Sequence, residues 1–143
     1  MTGKDSRPKI QPGLGTQCSV GAMNQVSILQ TASILLLLTA AGGILMAFRR
    51  LAQHANPPNW LAMAHGLLAA SGLTLLIYAA VAEGVPGCAV IGLVLLIVAA
   101  AGGVVMNLSY HLAGKLIPQW LLYLHIALAA VGTGLVAWGA WRG

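Results

Sequence analysis

Two histidines, His65 and His125, lie sixty residues apart in similar apolar surroundings. His65 is the fifth residue after Trp60, His125 is the fifth after Trp120, and a proline stands two residues before each tryptophan. An imidazole inside an apolar segment is costly unless its ring nitrogens have partners, so such a histidine predicts a functional site. A neutral imidazole nitrogen is also a common metal ligand, which makes axial ligation of a metal centre the first chemistry to consider.

The segments that carry these histidines belong to a strongly apolar chain. Of its 143 residues, 59% are hydrophobic and only 6% are charged, whereas about 25% are charged in an average soluble domain. Four apolar runs contain no Asp, Glu, Lys or Arg, and each has the length that a helix needs to cross a bilayer. The runs cover residues 27–48, 60–81, 88–110 and 120–141. We therefore predict an all-α integral membrane protein whose four transmembrane helices form one bundle.

The residues before the first run form a separate region. Residues 1–26 are polar, and we expect them to form a flexible or surface-bound tail ahead of a transmembrane domain at 27–143. The first apolar run is too long for the core of a signal peptide. The net charge of +5 is scattered along the chain. The basic residues therefore predict membrane anchors and topology signals, and not a nucleic-acid surface.

The two histidine segments are parts of a longer internal repeat. Residues 40–80, aligned without gaps on residues 100–140, agree at fifteen of forty-one positions. We therefore expect tandem repeat units at about 27–81 and 88–141, each a helical hairpin, because short connections make consecutive helices antiparallel. Both hairpins enter the bilayer from the same face. This predicts a pseudo-twofold axis along the membrane normal, with the two histidines facing each other across it.

Small residues recur at the depth of the two histidines. A glycine pair near the end of the first helix of each hairpin lies level with the histidine of the second helix, since each residue adds about 1.5 Å of rise. An alanine and a glycine follow each histidine at i+4 and i+7 and so share its face. A flat macrocycle needs axial nitrogen donors and flanking surfaces free of large side chains. The residues that meet this need are His65, Gly42, Gly43, Ala69 and Gly72 in the first hairpin and His125, Gly102, Gly103, Ala129 and Gly132 in the second.

This pattern predicts one haem b between the second and fourth helices, with His65 and His125 as the axial ligands of the iron. The alternative is that the small residues serve only close helix packing, and that each histidine forms a hydrogen bond across to a Ser, a Thr or a carbonyl. A mononuclear metal site is less favoured, because no Cys, Asp or Glu lies near the histidines to complete the coordination.

His111 and Arg50 form a second polar group, near the membrane surface on the histidine side. His111 is a candidate for a further haem ligand, a proton donor or, with Arg50, part of a quinone pocket, although residues at such positions more often serve as interfacial anchors. A second haem that uses His111 is not expected. The two cysteines, Cys18 and Cys88, match no metal-binding spacing, and both a disulfide between them and two free thiols are compatible with the sequence.

The four spans and the paired histidines resemble the small four-helix membrane b-type cytochromes of the cytochrome b561 kind, over about 115 residues. The resemblance implies electron transfer with a quinone or with another redox protein in the membrane, as in the membrane cytochrome b component of an oxidoreductase. It carries over only His65 and His125 as ligands, because one histidine per hairpin is not the full ligand set of a two-haem member. It leaves open whether the chain is itself an enzyme.

Basic residues near the helix ends predict the orientation of the chain. Arg49, Arg50 and Lys115 lie on the histidine side, and Arg142 lies on the other side. Positive residues favour the cytoplasmic side of a membrane. We therefore expect the histidine-side loops in the cytoplasm and both termini in the periplasm, in a prokaryotic inner membrane.

Two further function classes are compatible with the sequence. A cofactor-free accessory or structural subunit would use its small-residue faces to dock onto a larger membrane complex. A small transporter is less favoured, because no span is visibly broken and none contains a charged residue.

Overall fold

A computed structural model describes the backbone of residues 14–142 and the side chains of residues 27–142. This part of the chain is helical and has no strand, which confirms the predicted all-α class. The four α-helices are α1 at Leu14–Ala52, α2 at Asn59–Tyr78, α3 at Gly87–Met106 and α4 at Gln119–Arg142. All four are long and apolar enough to cross a bilayer, as predicted.

The first helix begins earlier than the sequence predicts. α1 starts at Leu14, within the stretch that we assigned to a polar tail. A helix can continue beyond the bilayer, because its backbone hydrogen bonds are satisfied within the segment in either medium. Residues 1–13 lie outside the described part of the chain, so the rest of the tail prediction is not tested.

Two helices widen into π-helical turns at their C-terminal ends. Ala79–Glu83 continues α2, and Asn107–His111 continues α3. After the second turn, the amide of Leu112 donates to the carbonyl of Asn107 at 2.9 Å, five residues earlier, whereas α-helical bonds span four residues. The apolar spans therefore run to Glu83 and His111, slightly beyond the ends predicted from hydropathy.

Proline and glycine mark the connections at the two ends of the bundle. At the histidine end, defined by the connections 53–58 and 112–118, α2 starts directly after Pro58. At the opposite end, here the terminal end, a short turn joins α2 to α3. Gly84 in that turn and Gly114 at the histidine end have φ of 74° and 65°, left-handed conformations that glycine adopts without a steric penalty.

The hairpin of α1 with α2 packs beside the hairpin of α3 with α4. α1 packs along α4, whereas α2 and α3 touch less extensively. All four helices contribute to one apolar core cluster, made of Leu29, Ala32, Leu36, Leu76, Ala89, Leu96, Val136 and Ala140. Most large apolar side chains point outward instead; Ile44 and Val81, for example, are 71% and 83% exposed. This outward apolar surface is the one that a bilayer would cover.

Candidate functional site

A small cavity of about 70 Å³ lies in the middle of the bundle, between His65 and His125. Each of the four helices contributes three of its twelve lining residues. These residues form six pairs whose members are sixty positions apart: Leu36 and Leu96, Thr39 and Ala99, Ala40 and Ala100, His65 and His125, Ala69 and Ala129, and Leu73 and Thr133. Corresponding positions of the two hairpins therefore meet around one space.

Each histidine is held by a hydrogen bond to the preceding helix. Nδ1–H of His65 donates to the carbonyl of Thr39 at 3.0 Å, and Nδ1–H of His125 donates to the carbonyl of Ala99 at 2.9 Å. Both carbonyls lie 26 residues before their histidine. Since a carbonyl oxygen only accepts, the proton of the neutral ring is on Nδ1 and the lone pair is on Nε2. Histidines that bind a metal through one nitrogen commonly donate from the other in this way.

Gly43 and Gly103 make room for these rings. A Cβ atom on Gly43 would lie 3.1 Å from Cε1 of His65, and one on Gly103 would lie 3.3 Å from Cε1 of His125. Each glycine stands four residues after the carbonyl that its histidine reaches, one helical turn along the same face. A side chain at either position would push the imidazole away from its carbonyl. The structure thus brings one glycine of each predicted pair against its histidine.

The two imidazole rings have centroids 6.4 Å apart and planes inclined by 59°. A metal–imidazole bond is about 2.0 Å long and the nitrogen lies about 1.1 Å from the ring centroid, so two imidazoles on opposite sides of one iron have centroids about 6.2 Å apart. Directly packed aromatic rings also have centroids about 4.5–7 Å apart. The separation therefore fits ligation of one iron by both rings but does not require it.

The open space around the rings is smaller than a haem. Small-molecule and cofactor pockets are typically about 300–1,000 Å³, well above the 70 Å³ of the central cavity. A second cavity of about 300 Å³ lies between α3 and α4 and shares Ala99 and His125 with the first. The space between the rings therefore does not hold a porphyrin ring unless the surrounding side chains move.

The remaining glycine and alanine candidates around the histidines occupy different positions. Ala69 and Ala129 line the central cavity. A Cβ atom on Gly42 would lie 3.9 Å from Nδ1 of His65, an ordinary contact, whereas Gly102 has open space and lines the second cavity. The first glycine of each pair is therefore less constrained than the second.

Gly72 and Gly132 lie at helix crossings. A Cβ atom on Gly72 would lie 3.1 Å from Cγ of Leu36, and one on Gly132 would lie 3.0 Å from the carbonyl oxygen of Gly92. Neither glycine lines the central cavity. The structure gives both of them a role in close packing within a hairpin, and their role beside a cofactor stays a prediction.

Sequence reasoning did not identify the carbonyl acceptors of Thr39 and Ala99, nor Thr133 in the cavity wall. A backbone carbonyl has no sequence signature of its own, because every residue carries one. The equivalent placement of two histidines after two equivalent helices was the available signal, and it pointed to the right helices without identifying the acceptor atoms.

Arg50 and His111 lie outside the central cavity, at the histidine end. Arg50 donates from Nε and Nη2 to the carbonyl of Ile117, at 3.0 and 2.8 Å. Nε2–H of His111 donates to Oδ1 of Asn59 at 2.7 Å. Both contacts join one hairpin to the other, and their partners, Ile117 and Asn59, were not predicted from the sequence.

The predictions for cysteine are not tested. Cys88 lies at the terminal end, where its Sγ is 3.2 Å from the position of a Cβ atom on Gly139, and the side chain of Cys18 lies outside the described residues. Among the side chains of residues 27–142, no group of three or more His, Cys, Asp or Glu could hold a metal ion.

Comparison of the chain with protein-family models, with curated proteins and with solved structures gives no significant match. The resemblance to small membrane b-type cytochromes therefore stays a prediction.

Proposed function

We propose that the chain is a membrane electron-transfer protein that binds one haem b between α2 and α4, with His65 and His125 as its axial ligands. The observation that carries this proposal is the pair of Nδ1–H bonds to backbone carbonyls, at 3.0 and 2.9 Å. They leave both Nε2 lone pairs available on rings whose centroids are 6.4 Å apart. A bound haem b supplies one-electron redox chemistry. His111 is not part of this ligand set, because it lines neither of the cavities beside the two rings.

The protein contributes the position and basicity of the ligands. The carbonyls of Thr39 and Ala99 hold each ring in one tautomer and one direction, and such bonds raise the basicity of the ligating nitrogen. The leucines at the cavity wall, Leu36 and Leu96, form an apolar surround. Such a surround lowers the local dielectric around a bound cofactor.

We further propose that the two hairpins are related by a pseudo-twofold axis along the membrane normal. The six lining pairs sixty positions apart support this relation, as do the two histidine–carbonyl bonds with the same offset of 26 residues. An iron on that axis would be equally placed for both hairpins.

The partner in electron transfer is proposed to be a quinone or another redox protein in a prokaryotic inner membrane. The outward apolar side chains support contact with lipid. Arg49, Arg50 and Lys115 at the histidine end support a cytoplasmic position for that end and periplasmic termini.

The test is the absorption spectrum of the detergent-purified protein after expression with ample haem. We expect a Soret band and reduced α and β bands, with about one haem per chain. Both His65→Ala and His125→Ala should lose these bands. His54→Ala is the control, because His54 is exposed in the α1–α2 connection. A colourless wild-type preparation would contradict the proposal that the protein binds haem.

The volume of the central cavity favours a second candidate, a cofactor-free accessory subunit of a larger membrane complex. At about 70 Å³ the cavity is compatible with a packed bundle whose histidines serve only helix–helix hydrogen bonding. This candidate predicts a colourless protein that copurifies in a fixed ratio with larger membrane subunits. A haem-coloured protein that purifies without other subunits would contradict this candidate.

A further inference from the structure

The histidine end of the bundle carries positive charge without a compensating acid. Arg49, Arg50 and Lys115 lie there, and the sequence contains only two acidic residues, Asp5 and Glu83. Glu83 lies at the terminal end, at the close of the π-helical turn after α2. Within residues 27–142, the histidine end therefore holds no carboxylate side chain.

Arg50 differs from its neighbour Arg49 in burial. Arg49 is exposed and donates from Nε to Oε1 of Gln53 at 3.1 Å, an ordinary surface contact. Arg50 is only 7% exposed. Two of its nitrogens, Nε and Nη2, donate to the same carbonyl oxygen, that of Ile117. A neutral carbonyl orients the guanidinium but does not neutralise it, and a buried charge without a counter-ion is costly.

The third nitrogen of the guanidinium, Nη1, has no partner among the described residues. An interfacial anchor would extend its charged group toward the headgroups and keep it in water. Arg50 is instead folded against the α3–α4 connection with one edge still free. A guanidinium with a free edge can bind an oxyanion through two parallel N–H donors.

His111 supplies a second polar group with an unmet partner. It is 9% exposed, and its Nε2–H is bound to Asn59. Its other nitrogen, Nδ1, is buried and has no hydrogen-bond partner. Most buried polar atoms in proteins are paired. Since Nε2 carries the proton, Nδ1 presents a lone pair, and its missing partner is a hydrogen-bond donor such as water or a hydroxyl group.

The partners of Arg50 and His111 both lie at the histidine end. Ile117, which accepts from Arg50, also donates from its amide to Oδ1 of Asn56 at 3.5 Å, and Asn56 donates from Nδ2 to the carbonyl of Lys115 at 2.8 Å. Asn59, three residues after Asn56, holds His111. Both polar groups therefore belong to the same layer of the bundle.

We propose that Arg50 forms a binding site for one oxyanion, a carboxylate or a phosphate, and that Nδ1 of His111, in the same layer, accepts a hydrogen bond from a water or hydroxyl that accompanies the oxyanion. Arg50 lies two residues before the end of the apolar span Ser27–Ala52, the depth of phospholipid headgroups. It also lies seven residues after Gly43, about 10 Å along the helix axis. The oxyanion is thus supplied either by the phosphate of an anionic phospholipid or by a carboxylate of the haem, and the second source alone rests on the proposed function.

The first arm of the test uses haem-free protein and phosphatidylglycerol in mixed micelles, with phosphatidylcholine as the uncharged comparison. Native mass spectrometry counts the lipids that each chain retains. For the lipid source, we expect wild type and R49Q to retain about one phosphatidylglycerol, and R50Q to retain at least tenfold less. H111Q should weaken retention relative to H54Q, which changes an exposed histidine.

The second arm uses haem-loaded protein and measures the midpoint potential. If the haem carboxylate is the oxyanion, R50Q lowers the potential more than R49Q does, because loss of a nearby cation stabilises the more positive oxidised iron. Haem loading then also displaces the retained phosphatidylglycerol. If R50Q and R49Q behave alike in both arms, the site is overturned. Since the first arm needs no haem, its result stands even if the protein binds none.

Glutamine at position 50 keeps one donor for the carbonyl of Ile117, so we expect R50Q to fold with wild-type helix content. If R50Q does not fold, R50K against R49K replaces it, because lysine keeps the charge and loses the planar fork. Weaker retention in R50K than in R49K supports the site, and equal retention overturns it.

Discussion

The two hairpins, α1 with α2 and α3 with α4, hold their histidines by the same contact. The distance at which the two helices of a hairpin cross differs between them. At the crossing of the second hairpin, Gly92 faces Gly132. A Cβ atom on Gly132 would lie 3.0 Å from the carbonyl oxygen of Gly92, and one on Gly92 would lie 2.7 Å from the carbonyl oxygen of Gly132. The corresponding residues of the first hairpin are Ala32 and Gly72, where a Cβ atom on Gly72 would lie 3.4 Å from the carbonyl oxygen of Ala32. The two backbones therefore lie closer together at the crossing of the second hairpin than at the crossing of the first.

This difference teaches that the histidine contact does not depend on one helix–helix distance. The Nδ1 to carbonyl distances, 3.0 and 2.9 Å, are almost the same in the two hairpins. Each contact involves a carbonyl, a glycine and an imidazole that lie within one helical turn of the same depth, so it is set locally. The helix crossing lies farther toward the terminal end, so the distance between the helices there can differ without moving the imidazole ring.

The largest expected effect tests whether the two hairpins contribute equally to the proposed cofactor site. His65→Gln and His125→Gln should each lower the haem bound per chain more than tenfold, because a single axial nitrogen holds the iron much less firmly than two. Haem is measured from the pyridine haemochrome spectrum, with His54→Gln as the control. Retention of haem in one variant but not in the other would show that the two hairpins are not equivalent.

The next effect tests the difference at the crossings. Gly92→Ala should lower the free energy of unfolding by about 2–3 kcal/mol, because its Cβ atom meets backbone and the helices must separate. Gly72→Ala should cost about 1 kcal/mol, since the Leu36 side chain that it meets can rotate. Both are measured by circular dichroism during unfolding in sodium dodecyl sulfate. Equal losses would mean that the two crossings are equally close.

A smaller effect tests the glycines beside the histidines. Gly43→Ala and Gly103→Ala should weaken haem binding several-fold, about 1 kcal/mol, by tilting the imidazole away from its carbonyl. Because the Cβ atom at Gly43 is the closer one, at 3.1 Å against 3.3 Å, its variant should be the weaker binder. Gly134→Ala is the matched control, since nothing lies within 4 Å of its Cβ position and it lines neither cavity. Haem dissociation to a scavenger protein gives the measurement, and equal rates in all three variants would remove the proposed role of the glycines.

The smallest effect tests a polar residue that the second hairpin lacks. Ser33 is fully buried and its Oγ has no partner, whereas the corresponding residue of the second hairpin is Leu93. Ser33→Ala should therefore raise the free energy of unfolding, by at most about 1 kcal/mol, since it removes an unpaired buried hydroxyl. Leu93→Ala should lower it by removing apolar contacts. A loss of stability in Ser33→Ala would mean that the hydroxyl has a partner, such as a bound water.

Part of the candidate site could be predicted from the sequence. The depth of His65 and His125 follows from counting residues along apolar helices, because the helical rise is constant. Their proximity followed from the repeat and from the short connections. The roles of Gly72 and Arg50 could not be predicted, because they depend on how far each helix is rotated about its axis. That rotation is the result of packing by all four helices at once.

The sequence by itself determined the number, length and apolar character of the helices, since a bilayer leaves a spanning segment few alternatives to an α-helix. It also determined that two histidines recur at one depth. Only the tertiary structure decided which nitrogen of each ring is engaged, which carbonyl accepts, and that Arg50 is folded inward while Arg49 is exposed. The physical reason is that backbone acceptors are identical at every residue, so contacts between helices select among them.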